Sequence, residues 1–112
     1  MLDYEKLDVY QCSIEFLALS YELLQSLPRG YSQIADQLKR ASLSIPLNIA
    51  EGSGKRTAVD KSRYYSIARG SAMECGALLD VCLVMKLLEE PLYSKGKSLL
   101  VRIVSMLSRM AR

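Results

Sequence analysis

Histidine is absent from the 112 residues. With it go the commonest general base, the usual catalytic dyads and triads, and histidine-containing zinc sites. Tryptophan is also absent and phenylalanine occurs once, against seven tyrosines, so the core must be aliphatic. Cysteine is scarce and odd in number. Cys12, Cys75 and Cys82 form no CxxC pair and read as small buried residues in a reducing compartment. No long apolar run exists: the longest uncharged stretch, residues 41–50, falls far short of the ~20 residues that span a bilayer. No charged-then-apolar leader opens the chain. These absences predict a cytoplasmic protein without membrane contact, cofactor, metal or catalytic residue: not an enzyme.

What is present is ordinary globular composition, 50% hydrophobic and 24% charged, in a length that suits one domain over residues 1–112. Apolar residues recur at steps of three and four in four stretches, the signature of amphipathic helices. In the first, Leu7, Tyr10, Ile14, Leu17, Tyr21 and Leu24 form the expected seam, with Asp3 as the cap and Pro28–Gly30 as the stop. A second helix is expected over 31–52, with Ile34, Leu38, Ala41, Ile45 and Ile49 inward and a bend at Pro46. Thr57 caps the third, with Asp60 placed to reach back in a capping box. That helix is expected over 58–89, along a seam of Tyr65, Ala68, Ala72, Cys75, Leu79 and Cys82. Its small middle invites a close neighbour. Glu90-Pro91 restarts the chain into a fourth helix with Leu99, Leu100, Ile103, Val104, Met106, Leu107 and Met110 inward. Lys95, Ser98, Arg102, Ser105, Arg109 and Arg112 form its polar stripe. Short connections pack helices antiparallel, so the fold class is all-α: an up-down-up-down four-helix bundle.

The net charge of +3 hides an alternation: −4 over residues 1–26, +5 over 29–69, −3 over 70–90 and +5 over 91–112. Neighbouring helices could simply pair these charges; alternatively, the basic segments build a surface that grips phosphates. Asp8, Glu15 and Glu22 recur every seven residues, as do Lys95, Arg102 and Arg109. Rows of equal pitch can meet across a subunit interface or inside one subunit, which makes Glu15, Glu22, Arg102 and Arg109 candidate oligomer contacts.

Two segments stand out, QLKRASLSIPLNIAEGSGKR at Gln37 to Arg56 and YYSIARGSAME at Tyr64 to Glu74. With LDVYQ at Leu7 to Gln11, they resemble the four-helix-bundle family named for proteins encoded in 23S rRNA intervening sequences. The resemblance implies a small bundle of unassigned activity that forms a cyclic homopentamer. A related branch, the accessory variability determinants of diversity-generating retroelements, implies a reverse transcriptase as partner and a basic oligomer that engages RNA or DNA.

Gln37, Arg40, Ser44, Asn48 and Glu51 share one polar stripe of the second helix, with Ser71 and Glu74 on the third. Asn48, Glu51 and Glu74 could hold a hard cation. Without a nucleophile or histidine beside them, Arg40, Asn48, Glu51, Ser71 and Glu74 are assigned to a structural polar layer that fixes helix register. Ser53-Gly54-Lys55-Arg56 lacks P-loop spacing and a preceding strand. It reads instead as a basic corner at a helix N-terminus. Lys55, Arg56, Lys61 and Arg63 are the candidate nucleic-acid contacts, with Arg69 deeper in the helix and Tyr64 or Tyr65 as a stacking ring. The expected function is a non-enzymatic, homo-oligomeric bundle that binds nucleic acid or a nucleoprotein partner. Its rival is a structural or protein-interaction module without nucleic-acid affinity.

Overall fold

The computed structural model describes residues 1–111; Arg112, at the end of the expected polar stripe, lies outside them. Among the described residues there is no strand. Four helices follow one another: α1 (Asp8–Ser26), α2 (Ser32–Ser53), α3 (Ala58–Val84) and α4 (Glu90–Met110). Each packs on the next and α4 closes back on α1, while the backbones of the diagonal pairs stay apart. Ser62 Oγ donates to the Ala111 carbonyl, Arg69 Nε to Ser108 Oγ, and Lys97 Nζ to Asp80. Rising numbers on α3 thus meet falling numbers on α4, which makes the pair antiparallel. The same reversal joins α2 to α3, where Gly52 faces Tyr65 and Ser44 faces Ser71. The result is a four-sided bundle of 44 × 25 × 23 Å.

Three seams fall where periodicity puts them. Leu38, Ala41, Ile45 and Ile49 of α2 are buried, and so are all six residues of the α3 seam. On α4, Leu99, Leu100, Ile103 and Leu107 are buried, with Val104, Met106 and Met110 half-buried beside them. Each large aliphatic side chain removed from water in this way contributes roughly 1.5–3 kcal/mol. The helix continues unbroken across Pro46. Burial pushes all three thiols up, Cys75 to about 12, so the cysteines are protonated packing groups and not nucleophiles.

The first helix corrects the expected seam. Its buried row is Val9, Cys12, Phe16, Leu19 and Leu23, whereas Ile14 and Tyr21 are exposed. The true row is harder to read because it shares its face with Ser13 and Ser20, both fully buried. The expected row lies at the edge of the core: Leu7, Tyr10 and Leu24 pack half-buried against it, while Ile14 and Tyr21 border α2 and open to solvent. The start differs as well. Asp3 sits in a short 3-10 turn (Asp3–Lys6), and α1 begins at Asp8 after an extended Leu7.

The third helix is shorter than expected. It ends at Val84 because Lys86 adopts a left-handed conformation, φ 60°. The Leu87 amide then bonds the Cys82 carbonyl at 2.8 Å, and Leu88 tucks into the core. No glycine announces this stop. The N-cap matches its expectation in one half: the Asp60 amide donates to Thr57 Oγ1 at 3.1 Å. The Asp60 carboxylate turns to Arg63 at 3.8 Å instead of closing the box. At the far end Asp80 accepts from Lys97 (2.7 Å) and Tyr93 (2.8 Å), fastening α3 to α4. The Lys97 and Tyr93 hydrogen bonds hold the Asp80 carboxyl below its ordinary value.

A left-handed non-glycine residue costs roughly 1–2 kcal/mol, a cost glycine avoids. Lys86→Gly should therefore raise unfolding stability by about 1 kcal/mol in urea denaturation. A loss of stability would show that the Lys86 side chain makes a contact worth more than the strain.

Candidate functional site

The corner between α2 and α3 is built on a close approach. A side chain at Gly52 would meet Tyr65 at 2.8–3.0 Å and the Tyr64 Cβ at 3.1 Å, so only glycine lets the buried Tyr65 ring pack on the end of α2. Thr57 then caps α3, and Lys61 Nζ donates to the Ser53 carbonyl at 2.9 Å, satisfying the last turn of α2. A cation there also complements the helix dipole.

The four expected phosphate contacts share this corner but not the same freedom. Lys55 pairs with Glu51 at 3.1 Å and lies over the Tyr64 ring, 5.1 Å from its centroid. The Glu51 hydrogen bond, then the Tyr64 and Glu51 charges, push its pKa up. Lys61 is committed to Ser53. Arg63 is exposed and meets Asp60 only at 3.8 Å. Arg56 is exposed, with no ion pair among the described residues. Arg69, read from sequence as less well placed, has its Nε on Ser108 Oγ at 2.7 Å, which leaves the rest of its guanidinium outward. Arg69, seven residues on from Ser62, shares its face of α3 and with it meets the end of α4, whereas Arg63 lies on a different face of the helix. Of the two tyrosines, Tyr65 is core and Tyr64 is half-buried beneath Lys55.

The polar layer assembles around a residue that periodicity placed on the stripe without a role. Ser44 Oγ accepts from Asn48 Nδ2 (3.0 Å) and from Ser71 Oγ (2.8 Å), linking α2 to α3. Asn48 also donates to the Ser44 carbonyl at 2.8 Å. Arg40 and Glu74 line the adjoining cleft. Glu51 does not join them, because it is drawn to Lys55 one turn on. No group of three cysteine or carboxylate side chains suited to a metal occurs among the described residues.

The two seven-residue rows run face to face along the α1–α4 seam of one chain. Glu22 and Lys95 border one groove, and Asp8 and Arg109 border another. Cys12 lies in the field of Arg102, which draws its pKa down, and of Glu15, which pushes it up. No pair between the rows closes to a salt bridge, and Glu15, Glu22, Arg102 and Arg109 all remain exposed.

A family model for the 23S rRNA-intervening sequence protein matches residues 5–109. The chain belongs to that family. A crystal structure of a protein of unknown function from the S23 ribosomal protein family of Bacteroides thetaiotaomicron superposes with a TM-score of 0.85. It is 21% identical, over 93% of this chain and 98% of that one, and so shares the fold. No curated protein matches. Among the described residues, no helix is long and apolar enough to cross a membrane.

The segment from Gln37 to Arg56 supplies the α2 side of both the polar layer and the corner, and Gly52 is its closest packing point. Gly52→Ala should cost about 1–3 kcal/mol by overpacking, because the Tyr65 ring it strikes is buried. Thermal unfolding of the variant checks this; an unchanged midpoint would mean that Tyr65 yields freely.

Proposed function

We propose that the protein is a non-enzymatic, homo-oligomeric bundle that binds RNA or DNA, or a nucleoprotein partner, through the α2–α3 corner. One observation carries the reading: Arg56 and Arg63 stand exposed beside the start of α3, held in place by Lys61 on Ser53 and by Lys55 over Tyr64. A guanidinium unpaired among the described residues and beside a helix N-terminus, as Arg56 is, favours phosphate oxygens, and Arg63 adds charge one turn into α3. Arg69 lies further along α3 on the face that meets α4, outside this pair.

A ring of subunits would repeat the corner about its axis, so that weak contacts act together. We infer a homopentamer in the cytoplasm, working as an accessory factor to a reverse transcriptase. Glu15, Glu22, Arg102 and Arg109 are open to a neighbouring subunit as well as to one another.

A second reading, a protein-interaction module without nucleic-acid affinity, is favoured by a separate feature. Ile14, Tyr21 and Leu43 are exposed along an apolar groove between α1 and α2. Patches of this kind mark protein contacts.

The test is binding of labelled single-stranded RNA and duplex DNA across a salt series, with sedimentation of the same preparation. The parent should bind as an oligomer, with affinity falling steeply as salt rises. Arg56→Ala with Arg63→Ala should weaken binding to all sequences and lower the salt slope by about 2. A parent that binds neither probe at low salt favours the interaction module, and a monomer overturns the assembly.

A further inference from the structure

The cleft between α2 and α3 lies on the same pair of helices as the basic corner but well away from it. From Arg40 to the end of α2 at Ser53 is thirteen residues, roughly 20 Å of helix. The cleft has a volume of about 430 Å³ and is lined by Gln37, Arg40, Ala41, Ser44, Ser71 and Glu74. Binding pockets usually have mostly apolar walls with a few placed polar groups. Here five of six lining side chains are polar, so the cleft suits a polar occupant.

The hydrogen bonds at its floor leave a donor over. Ser44 Oγ accepts from Asn48 and from Ser71. Two hydroxyls that share one bond always retain one further O–H. Whichever serine donates to the other, the remaining proton has no protein acceptor among the described residues. It lies beside the cleft, where both serines are half-buried.

The charges on the walls are opposite and unspent. Arg40 comes from α2 and Glu74 from α3, and no ion pair joins them. An anion alone would meet the Glu74 carboxylate, and a cation alone would meet Arg40. A molecule that carries both charges satisfies both walls, and Gln37 offers it one donor and one acceptor group. The floor donor suits the anionic end.

We propose that this cleft binds a compact zwitterion of the α-amino-acid type, with its carboxylate on Arg40 and the spare serine hydroxyl and its ammonium on Glu74. The site is independent of nucleic-acid binding at the corner, and its occupant braces α2 against α3. Because the cleft is open at the surface, exchange is fast and affinity modest.

The test is titration of the isotope-labelled full chain with each standard α-amino acid, read from backbone amide resonances. At least one should give saturable shifts at Gln37, Ser44 and Ser71. Arg40→Met and Glu74→Gln should each weaken that binding about tenfold, as expected for loss of a charge-assisted bond. Both residues are exposed, so the unfolding midpoints of these variants check that the fold is intact. Acetate and methylamine, each carrying half of the charge pattern, should not saturate the parent; this arm holds even if a variant fails to fold. The proposal is overturned if no amino acid shifts these resonances, if variants with an intact fold bind as the parent does, or if inorganic phosphate alone shifts the same residues as strongly.

Discussion

The structure depends on how closely α2 and α3 approach. Ala41 on one side and Ala68, Ala72 and Cys75 on the other are buried small residues, and Gly52 brings the Tyr65 ring onto backbone. Small side chains let helix backbones close up. What they give up in buried area per residue is recovered by the aliphatic side chains that flank them, Leu38, Ile45, Ile49 and Leu79. The corner and the polar cleft both follow from this seam. Without the close approach, Lys61 would not reach the Ser53 carbonyl, and Ser71 would not reach Ser44.

The seam also explains why charge is concentrated where it is. The buried seam is apolar, and the charged side chains sit around it: Lys55, Arg56 and Arg63 at its end, Arg40 and Glu74 at its rim. On the opposite side of the bundle, α1 and α4 carry long charged rows along their junction. Those rows face each other within the chain without closing a salt bridge. Exposed charges at such separations contribute little to stability and stay available to a partner.

Much of the fold was legible because α2 and α4 each carry one dominant apolar row, and α3 a continuous three-four seam even though Val59, Ile67, Met73 and Val81 lie exposed on its other faces. The α1 seam was not. Two apolar rows compete there, and the one that turns inward includes Ser13 and Ser20, whose hydroxyls disguise it. The end of α3 was also hidden, since a left-handed lysine does the work that glycine usually advertises. At the candidate site, the stripe from Gln37 to Glu51 was readable as one helix face, but helical spacing says nothing of partners. Only register across the pair reveals that Ser44 ties Asn48 to Ser71, and that Lys55 draws Glu51 away from the layer. Likewise, four neighbouring bases look alike in sequence, while the fold commits Lys61 to a carbonyl and leaves Arg56 free.

If the α2–α3 seam is the element on which the rest is assembled, it should be the last part of the molecule to open. Native-state amide hydrogen exchange measures this directly, since amides that exchange only through global unfolding mark the most stable unit. The slowest amides should lie in residues 41–49 of α2 and 68–79 of α3, with α1 and α4 exchanging through smaller openings. Greater protection in α1 and α4 than across this seam would contradict the account.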